Sequence, residues 1–277
     1  MYPAREACYT LLVMQRLFWV FLIPFFAGFL LNPAAVQAAT ITTLTQLRSG
    51  DLIRGQSFSA VYYLGKDGFR YVFPNDKTFF TWYSNFDSVK WLTDADLATI
   101  QIGGNVTYKP GSRMVKINSD PKVYAVDENA TLRWVTTQDI AVGLYGTSWN
   151  TQIDDVPDAF FSNYNMGGDI ETAGDYVLLE VTAAEDDIND DKNLQAASVI
   201  KVGEDGYDKT SITIQAGTAV RWYNNGTGKH TATASDLTWG TGTMTSGGNF
   251  ARYFDEPGFY EFFDSYNASK RATIVVE

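Results

Sequence analysis

Residues 254–270 read Phe254-Asp255-Glu256-Pro257-Gly258-Phe259-Tyr260-Glu261-Phe262-Phe263-Asp264-Ser265-Tyr266-Asn267-Ala268-Ser269-Lys270. Pro257 and Gly258 mark a turn, and the residues after them alternate as a strand does. Successive strand side chains point to opposite faces, so Tyr260, Phe262 and Asp264 share one face. The same pattern of short strands runs outward from this stretch. Val199–Val202, Ser211–Ile214, Ala219–Asn224, His230–Ala234, Asn249–Phe254, Gly258–Phe263 and Ala272–Val276 are separated by turns rich in Gly, Asn and Pro. That spacing predicts a β-sandwich over residues 198–277.

Four segments of this region carry a resemblance. They are Gly206-Tyr207 before Ser211-Ile212-Thr213-Ile214, Ala216-Gly217-Thr218-Ala219-Val220-Arg221-Trp222-Tyr223-Asn224, Lys229-His230-Thr231-Ala232-Thr233, and the quoted stretch with the strand that follows it. Together they resemble the plastocyanin-type cupredoxins, a Greek-key sandwich, across essentially all of 198–277. The resemblance implies copper ligands at four places: a first His where His230 stands, then Cys, His and a weak Met on the loop after the aromatic strand. Here Cys is replaced by Asp264, His by Asn267 and Met by Lys270.

A blue-copper centre depends on a thiolate and two imidazoles. A carboxylate, an amide and one imidazole supply neither, and Lys270 adds a positive charge. The expectation is a degenerate site at His230, Asp264, Asn267 and Lys270, with no metal and no cofactor; copper is the alternative. The resemblance also turns the face of Tyr260, Phe262 and Asp264 inward, where a carboxyl group needs a partner. A hydrogen bond to His230 or an ion pair with Lys270 would replace the metal as a clasp between two loops.

Composition narrows the chemistry further. The chain of 277 residues has one cysteine and one histidine. The cysteine is Cys8, within the leader, so the remainder has no disulfide and no thiolate ligand. One histidine excludes a multi-histidine zinc site. Net charge is −11, which argues against nucleic acid, whose phosphates call for clustered Lys and Arg, and against anionic membranes.

Upstream, glycine-led strands recur at Gly50-Asp51-Leu52-Ile53, Gly111-Ser112-Arg113-Met114-Val115 and Gly174-Asp175-Tyr176-Val177-Leu178. Val61-Tyr62 with Arg70-Tyr71-Val72 matches Val123-Tyr124 with Arg133-Trp134-Val135, and Ile102-Gly103-Gly104-Asn105 matches Met166-Gly167-Gly168-Asp169. The spacing predicts two repeats of about 62 residues and a third copy of the opening strand alone. Each repeat reads as a hairpin, turning at Lys66-Asp67-Gly68 or Asp127-Glu128-Asn129, then an aromatic stretch, then a short helix. The helix starts are Thr93-Asp94-Ala95-Asp96 and Val156-Pro157-Asp158, with Thr93 as cap and Pro157 in the first turn. The repeats resemble those of exported bacterial proteins of unknown function, and no activity follows from that.

Trp82, Trp91, Trp134 and Trp149 read as packing residues, with sugar stacking as the alternative. Asp154-Asp155 is a carboxylate pair that a glycosidase would need facing across a cleft, which adjacency does not provide. Residues 183–193 are acidic and nearly free of apolar side chains. They lack the central Gly and final Glu of a calcium loop, so a solvated linker is expected.

Arg5 and Arg16 precede an apolar run from Leu17 to Leu31, and Val36-Gln37-Ala38 supplies small residues for cleavage. The expected organisation is a signal peptide at 1–38, a two-repeat β-rich domain at 39–182, an acidic linker at 183–197 and a cupredoxin-like domain at 198–277. The whole is mainly β. The expected role is a non-catalytic exported protein, periplasmic, on the surface or extracellular, with an envelope polymer or protein as partner. Membrane attachment requires an uncleaved leader. The alternatives are a divergent electron-transfer cupredoxin and a glycan-binding or glycan-active repeat domain. Asn105, Asn129, Asn225 and Asn267 stand in glycosylation sequons, relevant only in a glycosylating host.

Overall fold

The computed structural model describes residues 40–184 and 187–277. The expected signal peptide at 1–38 lies outside them, as do Glu185 and Asp186. No helix among the described residues is long and apolar enough to cross a membrane.

Residues 40–110 build one five-stranded sheet. Its elements are β1 (Leu52–Arg54), β2 (Tyr62–Leu64), β3 (Arg70–Val72), α1 (Asp76–Trp82), β4 (Lys90–Trp91), α2 (Asp94–Thr99) and β5 (Ile102–Asn105). Residues 111–170 build a second from β6 (Met114–Ile117), β7 (Asp120–Asp127), β8 (Thr131–Trp134), α3 (Gln138–Tyr145), β9 (Ile153–Asp155), α4 (Asp158–Phe161) and β10 (Asn165–Met166). The strand orders are β4-β1-β2-β3-β5 and β9-β6-β7-β8-β10, which is one topology used twice. In each, a three-stranded antiparallel meander is flanked by two short parallel strands reached through helices.

Local chemistry places these elements. Asn75, Thr93 and Thr137 cap α1, α2 and α3 by accepting hydrogen bonds from backbone N–H groups in the first turn. Pro157 precedes α4 as its cap residue rather than opening it. Gly68 holds φ at +82° in the first hairpin turn, and Asn129 at +55° in the second, a region that side chains with a Cβ seldom adopt. The parallel edge is pinned in both sheets by an ion pair with the signs exchanged. Asp51 before β1 holds Lys90 of β4 at 2.7 Å, and Arg113 before β6 holds Asp154 of β9 at 2.6 Å.

Two expectations are corrected here. Residues 174–178 do not form a third strand: a 3-10 turn at Ala173–Asp175 leads into α5 (Leu178–Ala184). The Asp175 carboxylate accepts from the N–H groups of Thr172 and Glu171, bending the chain where a strand would begin. Among the described residues no hairpin follows to supply ladder partners, and Leu178, Leu179, Glu180, Ala183 and Ala184 favour helix. The acidic stretch is not a solvated linker either. Asp187 caps α6 (Ile188–Asp191), and Ile188, Asn189, Asp191 and Leu194 are buried. Two apolar side chains are enough to anchor it, because the polar ones have specific partners. Asn189 accepts from the N–H of Lys66 at 2.7 Å and donates to the Tyr63 hydroxyl at 2.5 Å.

Residues 198–277 form a sandwich of two four-stranded sheets. Its strands are β11 (Ser198–Gly203), β12 (Gly206–Tyr207), β13 (Ser211–Ile214), β14 (Thr218–Asn224), β15 (Thr233–Ala234), β16 (Asn249–Phe254), β17 (Gly258–Asp264) and β18 (Asn267–Val276). The orders are β12-β11-β14-β16 and β13-β18-β17-β15. Between the sheets lie Trp222, Phe254, Phe262, Ile200, Val202 and Ile274, all buried. The outer face of the β14–β16 sheet is not left to solvent. Ala219 and Ala251 join one apolar cluster with Phe69 and Tyr71 of the first hairpin, Phe79 of α1, and Ile188 and Leu194.

Candidate functional site

The site that the sequence singles out lies where β15 and β17 meet at one end of the sandwich. Tyr260, Phe262 and Asp264 follow the strand alternation of β17, and Phe262 and Asp264 are buried. Asp264 has no solvent exposure at all. Three donors converge on its carboxyl group. The Nδ1 of His230 is 2.8 Å from Oδ2, while the backbone N–H groups of Thr231 and Tyr266 donate to Oδ1 at 3.0 and 3.1 Å. His230 is itself buried and bridges to Met244 through paired backbone hydrogen bonds of 3.1 and 2.9 Å. The structure thus joins the two loops through the His230 arm of the expected clasp.

Lys270 takes no part in it. Its ammonium donates to the carbonyl of Gly203 at 2.9 Å. Asn267 also stands apart, exposed, with its amide oxygen accepting from Ser269. The reason is the connection between the last two strands. Ser265 and Tyr266 make a two-residue turn, Asp264 pairs with Asn267, and the chain continues directly as β18. Where the family resemblance implies a ligand-bearing loop, this chain has a tight hairpin. Asn267 and Lys270 are strand residues on opposite faces.

The donor set does not fit a copper centre of the cupredoxin type. There is no thiolate, the amide and ammonium positions face elsewhere, and the Nδ1 of His230 is engaged by Asp264. Among the described residues, no three His, Cys, Asp or Glu side chains come together to hold a metal ion. One atom is left over: the Nε2 of His230 is buried without a hydrogen-bond partner. An aromatic floor lies beneath the pair. The Tyr207 hydroxyl donates to the carbonyl of Thr231 at 2.6 Å. Burial, and then the Asp264 carboxylate, hold that phenol protonated well above its ordinary range.

Two functional elements are not evident from the sequence. Glu204 clips the loop leading to His230. Its carboxylate accepts from the N–H groups of Thr227 and Gly228 at 2.8 and 3.0 Å, and those bonds pull its pKa down to about 2. The glycine-rich run Asn225-Gly226-Thr227-Gly228 was the available signal. The second is Asp67, read only as a turn residue. It is fully buried and accepts from the hydroxyls of Tyr71 and Tyr253 and the N–H of Phe69. Beside it, Arg221 donates to the carbonyl of Gly68 at 2.5 Å. The first hairpin turn is thereby bonded into the sandwich.

The repeat candidates have structural partners. Asp154 is buried between Lys77 and Arg113, and Asp155 pairs with Lys116. They are successive strand residues and point apart, so they are not two carboxylates facing across a cleft. Trp82, Trp134 and Trp149 are half-buried against their cores, and Trp91 lies under the Arg54 guanidinium at 4.1 Å.

No family model matches the chain, and no curated protein matches it. Solved cupredoxin structures do match, over less than a third of its length. The purple cupredoxin from Nitrosopumilus maritimus is 19% identical, covering 29% of this chain and 99% of its own, with a TM-score of 0.28. Amicyanin from Paracoccus versutus is 27% identical over 29% of this chain and 81% of its own, with a TM-score of 0.27. An amicyanin mutant in the Cu(I) form is 22% identical over 30% and 84%, with a TM-score of 0.28.

Proposed function

We propose that this is an exported, non-catalytic binding protein whose C-terminal sandwich is a cupredoxin-type scaffold closed by a hydrogen-bonded Asp–His pair in place of copper. The observation that carries the reading is the 2.8 Å contact between His230 Nδ1 and Asp264 Oδ2, with the Asp264 carboxyl fully buried and satisfied by two further N–H donors. A metal entering between them would have to break the His230–Asp264 hydrogen bond and would gain one imidazole and one carboxylate, a weak set for copper in either oxidation state. The partner is an envelope polymer or an envelope protein, and the mature chain acts in the periplasm, on the surface or outside the cell.

Copper titration of the chain without residues 1–38, followed by calorimetry and visible absorbance, tests this. The expected result is no saturable binding at micromolar copper. One tight site that disappears in His230→Ala would overturn it. A divergent copper-binding protein is the second reading. The unpartnered Nε2 of His230 favours it, since that nitrogen is the one imidazole atom left for a ligand.

A further inference from the structure

A polar cleft of about 510 Å³ opens where the two five-stranded sheets, α6 and the sandwich meet. That volume falls within the range of small-molecule sites, about 300–1,000 Å³. Its chemistry comes from Asn129, Asn163, Asn165, Asp191, Lys192 and Asp255.

Some of these groups are committed. Asn163 accepts from Asn105 at 3.1 Å and donates to the carbonyl of Phe160 at 2.9 Å. Asp191, buried, accepts from the Thr107 hydroxyl at 3.1 Å and the N–H of Ala130 at 3.3 Å. Others have capacity to spare. Among the described residues, no hydrogen bond or ion pair engages the ammonium of Lys192, which rests 5.1 Å above the Tyr71 ring. The side-chain amide of Asn129 and the carboxylate of Asp255 are likewise unengaged among the described residues. Asn165 spends its amide N–H on the carbonyl of Asn129, which leaves its oxygen open. Donors and acceptors are therefore both offered to whatever enters.

Charge narrows the occupant. The carboxylates of Asp191 and Asp255 oppose an anion, and the ammonium of Lys192 opposes a metal cation. A neutral ligand that both donates and accepts along its length meets neither penalty. Hydroxyl groups on adjacent carbons do this, because each is at once donor and acceptor. We propose that this junction cleft binds a neutral, polyhydroxylated ligand, a segment of an uncharged polysaccharide, with Lys192, Asn129 and Asp255 as its main contacts. The inference rests on the reading of the chain as a binding protein and names a class of partner for it. It is independent of the copper experiment, since the cleft does not include His230 or Asp264.

The test is calorimetry and saturation-transfer NMR on the full chain with neutral tetrasaccharides of glucose and of N-acetylglucosamine. Polygalacturonate serves as an anionic control and chitosan as a cationic one. The expected result is saturable binding of at least one neutral probe, weakened about tenfold or more in Lys192→Met and in Asn129→Gly with the thermal midpoint retained. Glycine at 129 keeps the positive φ available, so that variant removes the amide without straining the turn. Asp255→Ala, at an exposed position, is the additional variant should either of the others unfold. Absence of saturable binding to every neutral probe overturns the proposal. So does binding unchanged in all folded variants, or tighter binding of either charged control.

Discussion

Asp264, at the end of β17, meets His230 in the loop before β15, and three N–H donors depend on its carboxyl group. The two partners are not equivalent. Removing Asp264 strands the imidazole N–H, the buried backbone N–H of Thr231 and the half-buried one of Tyr266. Removing His230 leaves Asp264 with its two backbone donors. Breaking a buried pair typically costs about 3–5 kcal/mol, and Asp264→Ala is expected in that range by urea denaturation. His230→Ala is expected to cost less. The reverse order would show that imidazole packing, rather than the carboxyl group, closes this end of the sandwich.

Asp67 performs the same service at the junction of the first sheet with the sandwich. Asp67→Ala leaves the hydroxyls of Tyr71 and Tyr253 and the N–H of Phe69 without their acceptor. Each stranded buried donor costs about 1–3 kcal/mol. Tyr253→Phe removes the bond to Asp67, at about 0.5–1.5 kcal/mol, and a long 3.4 Å contact with the Tyr71 hydroxyl, while Asp67 keeps its other two donors. Chemical denaturation should rank them in that order. Equal effects would place the junction's strength in apolar contact instead.

Glu204 predicts an acid-sensitive loop. Its pKa, pulled down to about 2 by the N–H groups of Gly228 and Thr227, lies below the value of about 4.3 expected in an unfolded chain. The folded state therefore binds this proton less readily. Its contribution is complete above the unfolded value and is lost as pH falls from about 4.3 towards 2. Protection of the Thr227 and Gly228 amides, relative to their intrinsic exchange rate at each pH, should fall over that window in the wild type. In Glu204→Gln protection should be lower at neutral pH and should not change over the window. Wild-type protection unchanged to pH 2 would remove Glu204 from this role.

Much of the sandwich was legible because alternation and turn residues act over a few positions. The strands from Ser211–Ile214 to Gly258–Phe263 needed no long-range information. The pairing of Asp264 with His230 was legible for a related reason: a carboxyl group in line with Tyr260 and Phe262 must find a donor. The fate of Asn267 and Lys270 was not, because it turns on a two-residue hairpin at Ser265-Tyr266 that a ligand-loop alignment hides. The acidic stretch misled for another reason. Its burial depends on hydrogen bonds between its polar side chains and Tyr63, Lys66 and Thr107, far away in sequence. The same holds for residues 174–178, where a strand-like opening had no hairpin to pair with.

The apolar cluster shared by Phe69, Tyr71, Ala219 and Ala251 has a consequence for the order in which the molecule assembles. Domains generally fold as the chain emerges, amino-terminal end first. Here the first sheet emerges with a face whose cover has not yet been synthesised. It must wait, partly bare, until the strand bearing Ala251 arrives. During that interval the growing chain presents its aromatic surface to whatever machinery handles nascent polypeptides. Truncations ending before residue 251 are, on this account, arrested forms of a normal stage in biosynthesis.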